Sequence, residues 1–156
     1  MVTHLFMRAS HAMPNDADVL VALGVLYNIS AEYDKAVATF QRAAEVRPSD
    51  ASIWNKLGAT QANSERSGDA VHAYRRALEL RPNYVRALAN LGIAHANQNN
   101  HHGASEAYLA SLARNPRAEH VWSYLRLSLS SMGRDDLVQL ARDKNLEAFR
   151  ARGFNF

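Results

Sequence analysis

Residues 51–84 read ASIWNKLGATQANSERSGDAVHAYRRALELRPNY, and this stretch decides the fold because the chain repeats its outline on either side. Pro82, near its end, belongs to a series of Pro14, Pro48, Pro82 and Pro116 that takes in all 4 prolines at intervals of 34 residues. Gly58 belongs to a second series on the same interval, with Gly24 before it and Gly92 after. Two series locked to one period mark an internal repeat of one supersecondary unit, and such units bury their apolar faces by stacking. The register gives repeats at 17–50, 51–84 and 85–118, with the second helix of a truncated repeat over 1–16 and diverged capping helices and a tail over 119–156, all as one folding unit.

The period and its residues resemble the tetratricopeptide repeat, whose pattern is Trp-x-x-Leu-Gly-x-x-Tyr, then Ala-x-x-x-Phe, then Pro. The first copy has Leu20, Leu23, Gly24, Tyr27, Ala36, Phe40, Ala43 and Pro48; the second has Trp54, Leu57, Gly58, Ala70, Tyr74, Ala77 and Pro82. The third keeps Leu88, Leu91, Gly92, Ala104, Tyr108 and Pro116 but places His95 where Tyr is usual and Ser111 where Ala is usual, which predicts slightly looser packing. The 3.6-residue periodicity puts the large signature residues on one face of each helix, and the resemblance implies two antiparallel helices per repeat in an all-α right-handed superhelix. Glycine inside a helix costs about 1 kcal/mol against alanine, so the glycine series predicts close backbone contact with a neighbouring helix. Each proline lacks the amide hydrogen needed to continue a helix and so separates one repeat from the next.

The ends read differently. Phe6, Ala9 and Pro14 stand 34 residues before Phe40, Ala43 and Pro48, so residues 2 to 13 are expected to form a second helix whose partner helix is missing. Leu5 and Phe6 do not make a polar cap, which predicts that this N-terminal face packs against another copy of the chain, by self-association, or against an alternative partner. After Pro116, Trp122 and Leu125 restart the pattern without its glycine; one last helix from about Asp136 to Phe149 should close the array, and residues 150 to 156 should fray.

Composition narrows the function. A chain of 156 residues supports one ordinary domain. With 47% apolar residues it is globular, and no apolar run nears the roughly 18 residues of a membrane span. There are 0 cysteines, which excludes disulfides and thiolate metal sites. The net charge of +3 comes from scattered lysines and arginines without a basic block, so nucleic-acid binding has no support. The first residues carry no secretory signal. No serine, histidine and carboxylate set has a catalytic context, so no enzyme, cofactor or metal is expected. His95 reads as a core histidine, His101 and His102 as solvated residues of a turn, and Arg75 and Arg76 as an outer solvated face.

In stacked hairpins the first helix of each repeat lines the inner surface along an i, i+4, i+7, i+11 stripe. That stripe carries Asp18, Ala22, Val25 and Asn28; then Ser52, Asn55 with Lys56, Ala59 and Asn63; then Arg86, Asn90, Ile93 and Asn97. Asparagine is a poor helix former, so five of them on one face ask for a reason. A carboxamide offers donors and an acceptor that complement an extended peptide backbone, while Lys56 and Arg86 offer charge to a terminal carboxylate. The stripe therefore predicts a peptide groove.

Longer strings are more specific. Leu23-Gly24-Val25-Leu26-Tyr27-Asn28, Glu32-Tyr33-Asp34-Lys35-Ala36-Val37, Trp54-Asn55-Lys56-Leu57-Gly58-Ala59, Ala73-Tyr74-Arg75-Arg76-Ala77-Leu78-Glu79-Leu80, Asn90-Leu91-Gly92-Ile93 and Trp122-Ser123-Tyr124-Leu125-Arg126-Leu127 resemble the peroxisomal import receptor family, peroxin five. Those receptors recognise type 1 peroxisomal or glycosomal targeting signals, C-terminal tripeptides of the Ser-Lys-Leu kind. The resemblance implies that Asn55, Asn90 and Asn97 bond the signal's backbone and carboxylate, with Asn28 and Asn63 as companions. Lys56 and Arg86 would lie near the carboxylate, and Ala59 would shape the pocket for the terminal leucine. It further implies cargo proteins as partners, peroxisomal docking proteins engaged through receptor regions outside this chain, and a cytoplasmic protein cycling to the peroxisome or glycosome membrane. The resemblance further implies a receptor of seven repeats, of which this chain would hold the C-terminal three and a half. The competing expectation is a repeat scaffold or cochaperone that clamps the acidic C-terminus of a chaperone with the same Lys56, Arg86 and Asn90.

Overall fold

In a computed structural model, which describes residues 2–156, the described residues form helices and no strand: α1 (Val2–Ala12), α2 (Ala17–Ile29), α3 (Tyr33–Val46), α4 (Ala51–Asn63), α5 (Ser67–Leu80), α6 (Val85–Asn97), α7 (His101–Arg114), α8 (Glu119–Ser131), α9 (Asp135–Arg142) and α10 (Leu146–Ala151). None of them is long and apolar enough to cross a membrane. Packing gathers them into two compact units, Met1–Pro82 and Asn83–Phe156, where the sequence register predicts one folding unit. Repeat arrays hold their energy in nearest-neighbour interfaces and not in one central core, so this subdivision is within their physics.

Each proline lies in the turn between a second helix and the next first helix. The turn is stitched at two places by an indole: Trp54 Nε1 donates to the carbonyl of Pro48 and Trp122 Nε1 to that of Pro116, both at 2.9 Å. Asp16 and Asp50 begin α2 and α4 by accepting backbone N–H groups left over at the helix start. The turn inside each hairpin keeps the period as well. Ala31, Glu65, Asn99 and Gly133 all take a positive φ, at 58°, 62°, 60° and 70°. The residue after each one donates back across the turn, as Glu32 N does to the Tyr27 carbonyl at 2.9 Å and Arg66 N to the Gln61 carbonyl at 2.8 Å. This is the Schellman closure of a helix end, which satisfies carbonyls that the helix leaves open.

The glycine series makes a close approach, but to a ring and not to a neighbouring backbone. A side-chain carbon at Gly24 would stand 2.7 Å from the Phe40 ring and one at Gly58 2.6 Å from the Tyr74 ring; Gly92 meets Tyr108 in the same way. Glycine and ring are 16 residues apart in every case, so each hairpin closes over its own aromatic plate. In the first unit Leu23, Tyr27, Phe40 and Leu57 form a core with Phe6 packed on it, while Leu5 is 64% exposed. In the second, Trp122, Leu125, Leu129, Leu137 and Phe149 are fully buried.

The third repeat is closed by polar contacts at the positions expected to loosen it. Ser111 is fully buried and donates to the Val85 carbonyl at 3.3 Å; His95 is buried with its Nδ1 3.3 Å from the Asn100 amide nitrogen. His101 and His102 open α7 instead of standing in a solvated turn, because Asn100 caps that helix through Gly103 N.

The C-terminal segment departs most from expectation. The single helix expected over 136–149 is broken into α9 and α10, because Lys144 takes a positive φ of 54° and Asn145 starts a new helix by accepting from Ala148 N. The residues expected to fray fold back. Phe154 is 7% exposed, edge-on to Phe149 at 5.6 Å and stacked on His102 at 5.2 Å, and Asn155 N donates to Glu106 at 3.0 Å. Burial of the Phe154 ring, the Asn155 bond to Glu106 and the Arg150 guanidinium over the Phe156 ring together offset the ordering cost of the tail.

Candidate functional site

Helix α6 carries Arg86 at its second residue, Asn90 one turn later and Ile93 after that, a spacing that aligns all three on one face. That face and α8 enclose a cavity of about 510 Å³, completed by the C-terminal end of α7. From α8 come His120, Val121 and Tyr124. His120 and Tyr124 stand 34 residues after Arg86 and Asn90, so the same register positions of two successive first helices face one space. The Tyr124 ring is braced by edge contact with His120 at 6.0 Å and by Tyr108 at 5.9 Å. Burial, with Tyr124 beside it, pushes the Tyr108 phenol well above its ordinary value and keeps it neutral behind this wall.

Arg86 is the one permanently charged residue lining the cavity, and it enters no ion pair among the described residues. The walls beside it are Ala89, Ile93 and Val121. One guanidinium, the carboxamides of Asn90 and Asn115 and an apolar lining suit a carboxylate attached to an apolar side chain.

The other sequence-derived candidates lie elsewhere. Asn97 is the exposed last residue of α6 and does not line this cavity. In the first unit, Asn63 Nδ2 donates to Asn28 Oδ1 at 3.4 Å, so these two amides meet each other. Lys56 and Ala59 are half-buried on α4. Asn55, expected on the open stripe, is only 6% exposed. The register explains the difference: Lys56, not Asn55, is the counterpart of Asn90, and Asn55 falls one residue off the stripe at the counterpart of Ala89. Asp18 is paired with Arg47 at 3.1 Å, and Ser52 is held by Asp50 at 2.7 Å. Sequence reading missed His120 and Tyr124, although extending the stripe by one more period reaches both.

Comparison with known proteins agrees with this architecture. The family described as Cilia and flagella-associated protein 70 middle TPR-like domain matches residues 20–150. Peroxisome biogenesis protein 5 of Arabidopsis thaliana is 51% identical over 39 residues, which is 25% of this chain and 5% of that protein. Among solved structures, MamA superposes with a TM-score of 0.86 at 21% identity, covering 96% of this chain and 89% of that one. The first TPR of Spaghetti (RPAP3), solved bound to the HSP90 peptide SRMEEVD, superposes with a TM-score of 0.73 at 19% identity, covering 75% of this chain and 93% of that one. Identities this low establish the shared helical-repeat fold and nothing finer. The family match runs through the three hairpins and the closing helices, and on it the chain belongs to the Cilia and flagella-associated protein 70 middle TPR-like domain family.

Proposed function

We propose that the chain is a peptide receptor that holds the C-terminal end of a partner protein, with a Ser-Lys-Leu type targeting signal as its ligand. The observation that carries this reading is the cavity with Arg86 and Asn90 on one wall and Ile93 and Val121 among its apolar lining. Arg86 pairs with the terminal carboxylate, Asn90 bonds the last peptide unit, and the apolar lining takes the terminal leucine. Lys56 and Ala59 occupy the counterpart positions of Asn90 and Ile93 on α4. The short identity with the Arabidopsis peroxisome protein supports the ligand class. On this reading the protein works by binding, without a cofactor, and moves from the cytoplasm to the peroxisome or glycosome membrane with its cargo.

A second reading is favoured by the RPAP3 repeat domain, which was solved with an acidic chaperone peptide. A ligand with several carboxylates needs several cations around one space, and this cavity supplies one permanent charge. That count favours the first reading. The family description names a ciliary protein and the short match a peroxisomal one, so the peptide is the discriminating variable. Calorimetric titration with a Ser-Lys-Leu-ended peptide, its C-terminal amide and an acidic-ended peptide decides between them. Preference for the free Ser-Lys-Leu carboxylate is expected; tighter binding of the acidic peptide would establish the chaperone reading instead.

A further inference from the structure

The first unit has a cleft of about 800 Å³ that none of the peptide-groove residues line. It lies where α3, α4 and α5 meet, on the side of the second helices. Trp54 and Leu57 give it an apolar wall, Glu45 closes one flank from the end of α3, and Asp69 closes another from the first turn of α5. Neither carboxylate enters an ion pair among the described residues, although the first unit pairs Asp34 with Arg66 and Asp18 with Arg47 nearby in sequence. Gln61 also lines the cleft, is 7% exposed, and has a side-chain carbonyl oxygen buried without any hydrogen-bond donor. A buried acceptor left open in this way is destabilising, and a ligand that supplies the donor removes that cost.

We propose that this cleft is a second binding site, for a lysine- or arginine-bearing peptide segment of a partner protein. The aliphatic stem of the basic side chain lies along Trp54 and Leu57, with its cation over the indole and between the two acidic flanks. The soft terminal torsion of Gln61 turns its oxygen toward the cleft to accept a peptide N–H. Charge complementarity selects this occupant: the cleft has two carboxylates and no lysine or arginine in its lining, in a chain whose net charge is +3. A receptor with one site for a carboxylate end and another for a basic segment reads two features of its partners.

The probe is an acetylated, amidated hexapeptide with two lysines, which has no carboxylate and so leaves the proposed C-terminal groove silent. Trp54 reports on the cleft, because the other tryptophan, Trp122, is fully buried away from solvent. Titration should give a saturable change in fluorescence that weakens with added salt. A twin peptide with norleucine in place of lysine should bind at least tenfold more weakly, and so should the lysine peptide to the Glu45→Gln, Asp69→Asn variant, whose exposed substitutions leave circular dichroism unchanged. Equal binding of the norleucine twin, an unaffected variant or no saturable signal would overturn the proposal. Sedimentation of the protein alone provides the remaining check: self-association abolished by the same variant would make the occupant a second copy of this chain and overturn it as well.

Discussion

Gly58 lies against the Tyr74 ring, with a ring carbon 2.6 Å from where an alanine methyl would stand. Tyr74 is 2% exposed, so its ring has nowhere to move. Gly58→Ala gains about 1 kcal/mol of helix propensity and loses about 1–3 kcal/mol to overpacking. A net loss of about 1 kcal/mol in urea unfolding is expected. Combining it with Tyr74→Leu should recover part of the loss, and strictly additive changes would show that the contact is not the cause.

Ala31 and Glu65 hold the positive φ that Gly133 holds at the equivalent turn. A side chain in the left-handed region costs about 1–2 kcal/mol, offset in part by the greater freedom that glycine loses on folding. Ala31→Gly and Glu65→Gly are each expected to raise stability by about 0.5–1 kcal/mol, and Gly133→Ala to lower it by about 1 kcal/mol. Unchanged melting temperatures across all three would mean that the turns relax at no cost.

The hairpins were legible because proline and glycine report backbone events at the residue itself. Pro48 ends a helix whatever surrounds it, and Gly58 says that something approaches; what approaches, the ring of Tyr74, depends on how the hairpin folds back and is not visible in local sequence. Lys144 shows the opposite limit. A lysine gives no sign of a positive φ, so the break between α9 and α10 was hidden, and with it the return of Phe154 onto Phe149. At the site, Arg86 and Asn90 followed from helical spacing, whereas Asn55 was placed one residue off its true face because residue type was weighed above register.

Phe154 fastens the tail to the second unit through Phe149 and His102. Phe154→Ala should cost about 3 kcal/mol, at the lower end for a buried phenylalanine because a chain terminus can relax. Hydrogen exchange gives the local readout: the Asn155 amide, bonded to Glu106, should lose its protection in the variant. Retained protection would show that the tail is held without the ring.

Asp50 caps α4, and its carboxyl is held below its ordinary value of 3.8, chiefly by the Ser52 hydroxyl at 2.7 Å and then by backbone N–H bonds and Arg47. A depressed carboxyl contributes stability that is fully present above its unfolded value and is lost as pH falls through the lower folded value. Asp50→Ala should therefore cost about 1 kcal/mol at neutral pH and flatten the acid side of the stability curve below about pH 4. An acid limb unchanged by the substitution would remove Asp50 from that role.

The functional reading makes its sharpest statement at Arg86 and Asn90. Arg86 is exposed and Asn90 half-buried, so their side chains carry little of the packing. Asn90→Ala should weaken a Ser-Lys-Leu-ended peptide by about 1–3 kcal/mol, which is roughly fivefold to over a hundredfold in affinity. Arg86→Ala should do the same to the free carboxylate and little to the amidated peptide, because amidation removes the charge that the guanidinium answers. Both variants should melt within a degree or two of the parent. The difference between free and amidated peptide is the quantity to follow across this pair. If Arg86→Ala leaves that difference intact, the carboxylate sits elsewhere, and if Asn90→Ala lowers the melting point while affinity holds, Asn90 is a structural residue.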